Sequence, residues 1–184
     1  MEVELIKLAS TPIFHTLYKC PEYLDFKQEL LNQIKVSPSY QETEKDSIYR
    51  LDFTLAREDK KYLELVLSNV ILPTIEHQAN LLSFGDSKIS LHVIDIWFQQ
   101  YIKNDIHKWH THSGSNFNNI FYLEKPDKVN TEFYCPIMDT IYIIDNIQEG
   151  DILTFPGHVV HRSGLNTTTD RKTVIAFNSV IDVS

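Results

Sequence analysis

Gly150-Asp151-Ile152-Leu153-Thr154-Phe155-Pro156-Gly157-His158-Val159-Val160-His161 is the stretch on which the reading of the fold turns. Gly150-Asp151 makes a turn into a short apolar strand, and Pro156-Gly157 makes another turn out of it. His161 then lies on the returning strand, whereas His158 falls in the turn itself. Outward from this point the same grammar repeats. From Lys88 onward, period-two alternation and turn residues mark strands at 89–102, 117–123, 132–136, 141–145, 152–155, 159–163 and 172–180. Short strands so closely spaced indicate a sandwich or barrel with both sheet edges managed.

Before Lys88 the pattern is helical. Tyr23, Phe26, Leu30 and Ile34 recur every three to four positions between Pro21 and Val36, as an amphipathic helix requires. A second stripe of Tyr62, Leu65, Asn69, Leu72 and Ile75 runs through Glu58 to Leu82, and Pro73 inside it should kink or divide that helix. Ile48, Leu51, Phe53 and Leu55 hint at one strand between the helices. The expectation is a mainly β (α+β) domain, a double-stranded β-helix or jelly roll of cupin-like shape, with the N-terminal helices packed on one outer face. One domain spans 1–184, with a helical buttress over 1–87 and the jelly-roll core over 88–184.

Bulk properties narrow the function. The chain is 42% hydrophobic and 11% aromatic, the balance of a folded globular protein rather than a disordered one. Its net charge of −8, without a Lys/Arg-rich run, argues against nucleic acid as the partner. No apolar run reaches the ~18 residues of a membrane span, and the first residues carry acids rather than the cations of a signal peptide. Cys20 and Cys135 lack CxxC spacing and read as reduced thiols of a cytoplasmic protein. An exposed jelly-roll edge makes a homodimer one expectation for assembly.

Three short segments carry chemistry. In Trp109-His110-Thr111-His112 the imidazoles at i and i+2 point to one face of a strand, two legs of a metal site or else two polar side chains on a wet face. His161, brought back by the Pro156-Gly157 turn, would complete a three-point site with one side open; His158 is the competing imidazole. Ten residues beyond His161, Arg171 and Thr173 share a face of the next strand and could converge on an anion. The alternative for Arg171 is a surface ion pair at a strand end.

In order and spacing these residues resemble the 2-oxoglutarate/Fe(II)-dependent oxygenase superfamily, and within it the small phage and bacterial oxygenases patterned W…H-x-H…YL…P…G-D…F-P…H…R…F-N. The matching residues are Trp97, His110, His112, Tyr122-Leu123, Pro136, Gly150-Asp151, Phe155-Pro156, His161, Arg171 and Phe177-Asn178, with a looser likeness in Thr11-Pro12-Ile13-Phe14. The resemblance implies that His110, His112 and His161 bind Fe(II), and that Arg171 with Thr173 holds the distal carboxylate of 2-oxoglutarate, Tyr101 also touching it. With O₂ as co-substrate, 2-oxoglutarate decarboxylation would be coupled to hydroxylation of a small molecule or peptide side chain, in the cytoplasm or in that of a host if the chain is phage-encoded. His112 departs from the pattern, since most of the superfamily carries Asp or Glu there, and neither Asp105 nor Glu124 has the spacing to stand in.

Two rivals remain. A cupin-type metal dioxygenase or isomerase would need no 2-oxoglutarate; Gly150 to Asn166 nearly fits its second motif, but the acid that should follow HxH is missing from Ser113 to Ile120, and Arg171 has no partner in that reading. A catalytically silent jelly roll would use the aromatic residues as a binding groove. No GxSxG elbow, phosphate loop or GxGxxG fingerprint occurs.

Overall fold

In the computed structural model, which describes residues 5–8, 11–14, 16–20, 22–44, 46–83 and 89–182, β1 (Leu5–Leu8) and β2 (Thr11–Phe14) form a hairpin. β3 (Thr16–Lys19) follows, then α1 (Tyr23–Val36), whose every-third-or-fourth apolar spacing buries Phe26, Leu30 and Ile34. Next come the short strands β4 (Tyr40–Glu42) and β5 (Ile48–Leu51). The second helical stretch is divided as Pro73 foretold. α2 (Leu63–Val66) widens into a π-turn over Leu67–Ile71, and α3 (Leu72–Leu82) restarts with the proline in its first turn. Proline has no N–H to give the carbonyl four residues back and its ring crowds that carbonyl. Here that carbonyl belongs to Asn69, and the Cys20 thiol donates to it from 3.8 Å.

From β6 (Ser90–Tyr101) onward the chain is all strand: β7 (Phe117–Glu124), β8 (Thr131–Cys135), β9 (Thr140–Ile143), β10 (Asp151–Pro156), β11 (His161–Ser163) and β12 (Lys172–Asp182). The major sheet has the order β3-β10-β7-β12-β6-β5-β4 and the minor sheet β11-β8-β9, all pairs antiparallel. This is the expected mainly β jelly roll. The boundary expected at residue 87 does not separate helix from sheet, because β3, β4 and β5 belong to the major sheet.

Two apolar layers hold the architecture. Outside the major sheet, Leu30, Ile34, Val66 and Ile71 of the helices bury against Phe98, Phe121, Ile175 and Phe177 of the strands; each such fully buried side chain contributes about 1.5–3 kcal/mol. Between the sheets, Tyr101, Tyr122, Leu153, Phe155 and Val174 meet Phe133 of the minor sheet, whose ring stands edge-on to Phe155 at 5.0 Å. β12 is thus buried on both faces, odd residues toward the helices and even ones toward the inter-sheet space. In register, Lys172 faces Tyr101, Val174 faces Gln99, Ala176 faces Trp97 and Asn178 faces Asp95.

Candidate metal centre

The segment carrying His110 and His112 lies between β6 and β7, outside any strand, and meets β11 through an isolated bridge at His110. His110 and His161 exchange both backbone hydrogen bonds at 3.0 Å, and the His112 N–H donates to the Gly157 carbonyl, also at 3.0 Å. That approach needs a glycine. A Cβ at Gly157 would stand 2.4 Å from the Ser115 carbonyl oxygen and 3.0 Å from that of His112. The result is a cluster in which one nitrogen from each of His110, His112 and His161 lies within 4.8 Å of the others. His161 is buried, and His110 and His112 are half-buried; His158 is exposed in the turn.

The ring orientations are fixed from behind. Nδ1 of His110 lies 2.8 Å from the Lys108 carbonyl, and Nδ1 of His161 lies 2.9 Å from that of Val159. A carbonyl only accepts, so both Nδ1 atoms carry the proton and both Nε2 lone pairs are left as ligands. Trp97 stacks on His112 at 5.6 Å and Phe155 stands edge-on to His161 at 4.6 Å. Burial, and then repulsion from His110, hold His161 down at about 3 and His112 at about 4; burial also lowers His110. Three neutral imidazoles converging on one point fit a divalent transition metal. No carboxylate joins them in the cluster found among the described residues. Asp105 instead accepts from the Ser47 hydroxyl and from the N–H groups of Tyr49 and Ile102.

A fourth imidazole went unread in the sequence. His107 stacks on His110 with centroids 3.9 Å apart, and its Nδ1 lies 3.4 Å from the Tyr101 hydroxyl. Burial, then the neighbouring His110, push it down to about 2. Its only sequence signal is its place three residues before His110.

The structure does not bring Arg171 or Thr173 to this centre. Arg171, with 42% of its side chain exposed, makes a two-pronged pair with Glu124, both contacts at 2.8 Å, and the Thr173 hydroxyl donates to the same carboxylate. Arg171 is the strand-end ion pair that the sequence left open as its alternative. The inward residue is Lys172, 1% exposed. Its Nζ donates to Ser163 Oγ at 2.9 Å and lies 5.7 Å from the ring centroids of both Tyr101 and Tyr122. It has no ion pair among the described residues, and burial, then Lys125, push its pKa down to about 7. Ser163 lies one pleat from His161 on the same face of β11, so the cation stands about two residue rises, ~7 Å, along the strand from His161. Tyr101 stands directly across from Lys172 and donates its hydroxyl to Gln99 at 2.9 Å.

A cavity of about 520 Å³ opens in front of the imidazoles, lined by His107, His110, His112, Trp97, Gln99 and Asn178 among others. On β6 its lining ends at Gln99, with the Tyr101–Lys172 pair next on the same face.

No family model matches the sequence, and no curated protein matches it. Solved structures do. HygX of Streptomyces hygroscopicus, with nickel and 2-oxoglutarate bound, superposes with a TM-score of 0.64 at 8% identity, over 90% of this chain and 82% of that one. The α-ketoglutarate-dependent epimerase SnoN of nogalamycin biosynthesis gives 0.66 at 11% identity over 90% and 78%. A Pseudomonas putida prolyl-4-hydroxylase gives 0.59 at 9% identity over 90% and 91%. The chain has the fold of the 2-oxoglutarate/Fe(II) oxygenases. In that oxygenase fold, His110, His112 and His161 sit together between the two sheets, and the buried cation on β12 is a lysine.

Proposed function

We propose that the chain is an Fe(II)- and 2-oxoglutarate-dependent oxygenase, with iron held by His110, His112 and His161 and the distal carboxylate of 2-oxoglutarate held by Lys172. The observation that carries the reading is Lys172, an ammonium enclosed between the sheets, with no ion pair among the described residues, donating to Ser163 one pleat along β11 from His161. A buried cation without an anion is costly, and a carboxylate arriving there turns that cost into a charge-assisted contact. The spacing from His161 suits a five-carbon dicarboxylate whose other end reaches the metal. Tyr101 shares the carboxylate by turning its hydroxyl away from Gln99. When bound, the iron and 2-oxoglutarate supply O₂ activation coupled to decarboxylation, with C–H hydroxylation as the outcome we assign.

The chain's own residues set the conditions. The Lys108 and Val159 carbonyls keep two ligand imidazoles in the tautomer that binds metal, while Trp97 and Phe155 wall the centre against water. A cupin-type dioxygenase would use the same three imidazoles but leaves Lys172 without a function. The test is an anaerobic titration of the Fe(II)-loaded protein with 2-oxoglutarate, followed by the visible absorption that 2-oxoglutarate gives on Fe(II). Lys172→Met is expected to weaken 2-oxoglutarate by at least about tenfold, whereas Arg171→Ala leaves its Kd within about twofold, as befits an exposed pair. The opposite ranking would return the co-substrate to Arg171.

A further inference from the structure

Carboxylates and an unpartnered amide oxygen line the cavity in front of the imidazoles. Asp95 lines it from β6, exposed, with no hydrogen bond or ion pair among the described residues. Directly across the ladder stands Asn178, 5% exposed and lining the same cavity. Its Oδ1 is buried and has no hydrogen-bond partner among the described residues. Asp46, from the segment before β5, accepts the Lys108 N–H on Oδ1 at 2.7 Å and presents Oδ2 3.7 Å from His107 Nε2. Aromatic faces lie among these acceptors, with Phe53 edge-on to Trp97 at 5.0 Å. No lysine or arginine occurs among the described residues that line the cavity.

An anionic group entering here would meet like charge, and an apolar one would strip water from carboxylates without replacing it. An ammonium offers three donors and a guanidinium five, neither offers an acceptor, and both bind aromatic faces. We infer that the substrate enters through a cationic group, an ammonium or guanidinium, received by Asp95, Asp46 and Asn178 beside Phe53 and Trp97. The two ends of the interior then have opposite preferences, with Lys172 for an anion and the mouth for a cation. This assignment rests on the oxygenase reading and names the substrate class for it.

The test is calorimetric titration of the protein loaded with nickel and 2-oxoglutarate, so that binding is read without turnover. The probes are N-acetyl-L-lysine methylamide, N-acetyl-L-arginine methylamide, 1,5-diaminopentane and the uncharged N-acetyl-L-norleucine methylamide. At least one cationic probe is expected to bind about tenfold or more tightly than the norleucine amide, less so as salt is raised. Asp95→Asn is expected to remove most of that preference while 2-oxoglutarate binds as before. Stronger binding of an amino-acid amide assigns a peptide side chain, and stronger binding of the diamine a free amine. No preference for charge, or a preference that Asp95→Asn leaves intact, overturns the inference while the oxygenase reading stands. Failure of 2-oxoglutarate to bind in the first titration overturns both.

Discussion

A lysine ammonium loses its hydration on burial, and Lys172 receives in return one hydroxyl and the faces of two tyrosine rings. Its pKa accordingly sits at about 7, against about 10.4 in an unfolded chain. Between those two values the unfolded chain binds a proton that the folded one does not, so stability rises with pH across that window; below about pH 7 both states are charged and the cost is present in full. Lys172→Met is therefore expected to stabilise the metal-free protein at about pH 6, by on the order of a few kcal/mol, with a smaller gain at about pH 9. Urea denaturation at the two pH values measures it, and equal gains at both would mean that the burial of charge is not their source. The sequence pointed to this strand and to Arg171 on it; the structure pairs Arg171 with Glu124 at the surface and turns its neighbour Lys172 inward. Residues 171 and 172 differ only in which face they take, and nothing local to Arg171-Lys172-Thr173 settles that.

At the scale of the element, the choice of face is decided along the whole of β12. Alternation marks the inward face of a strand when its other face meets water, but here both faces are buried. The remaining clue was graded size, since Ile175 and Phe177 fill the helix layer while Ala176 and Asn178 stand in the inter-sheet face. Gly150 shows the opposite case, a local signal whose reason is tertiary. It holds φ at +85°, its N–H donates to the Tyr122 carbonyl at 2.8 Å, and its own carbonyl accepts from the Cys20 N–H at 3.0 Å. A Cβ there would stand 2.4 Å from the Tyr23 ring of α1. Gly150→Ala thus adds left-handed strain to a clash with the helix, and should cost about 2–4 kcal/mol. That lowers Tm by about 5–15 °C in a chain of this size. Calorimetry reads this directly, and a Tm within a degree or two of wild type would mean that α1 moves aside freely.

At the scale of the molecule, the three imidazoles tie the sheets together. His110 and His112 come from the connection between two strands of the major sheet, and His161 from β11 of the minor one. A metal bound by all three is a cross-link present only in the folded state, and 2-oxoglutarate reaching Lys172 extends it to β12. Ligands that bind only the folded state stabilise by mass action, about 2.7 kcal/mol at a hundredfold excess over Kd, or about 5–10 °C in Tm. Nickel with 2-oxoglutarate should raise Tm by that much, and nickel alone by less. Absence of any shift with nickel would mean that the three rings do not act as one site.

What the sequence determined by itself is what short-range geometry fixes. The i, i+2 spacing of His110 and His112 marked them as a pair, which the structure ties to β11 by an isolated bridge outside any strand, and a tight turn at Pro156-Gly157 puts His161, not His158, on the returning strand. The jelly roll followed from the spacing of strands and turns, and the divided helix from the missing N–H of Pro73. Only the tertiary structure decided the rest, because each remaining feature is a meeting of segments far apart in the chain. Arg171 turns outward because Glu124 receives it, Lys172 turns inward to Ser163 between two tyrosines, and Asp46 and Asp95, on either side of the second helical stretch in the chain, reach one cavity. No local pattern encodes such meetings; they arise when two buried layers leave each strand residue one side of the sheet or the other.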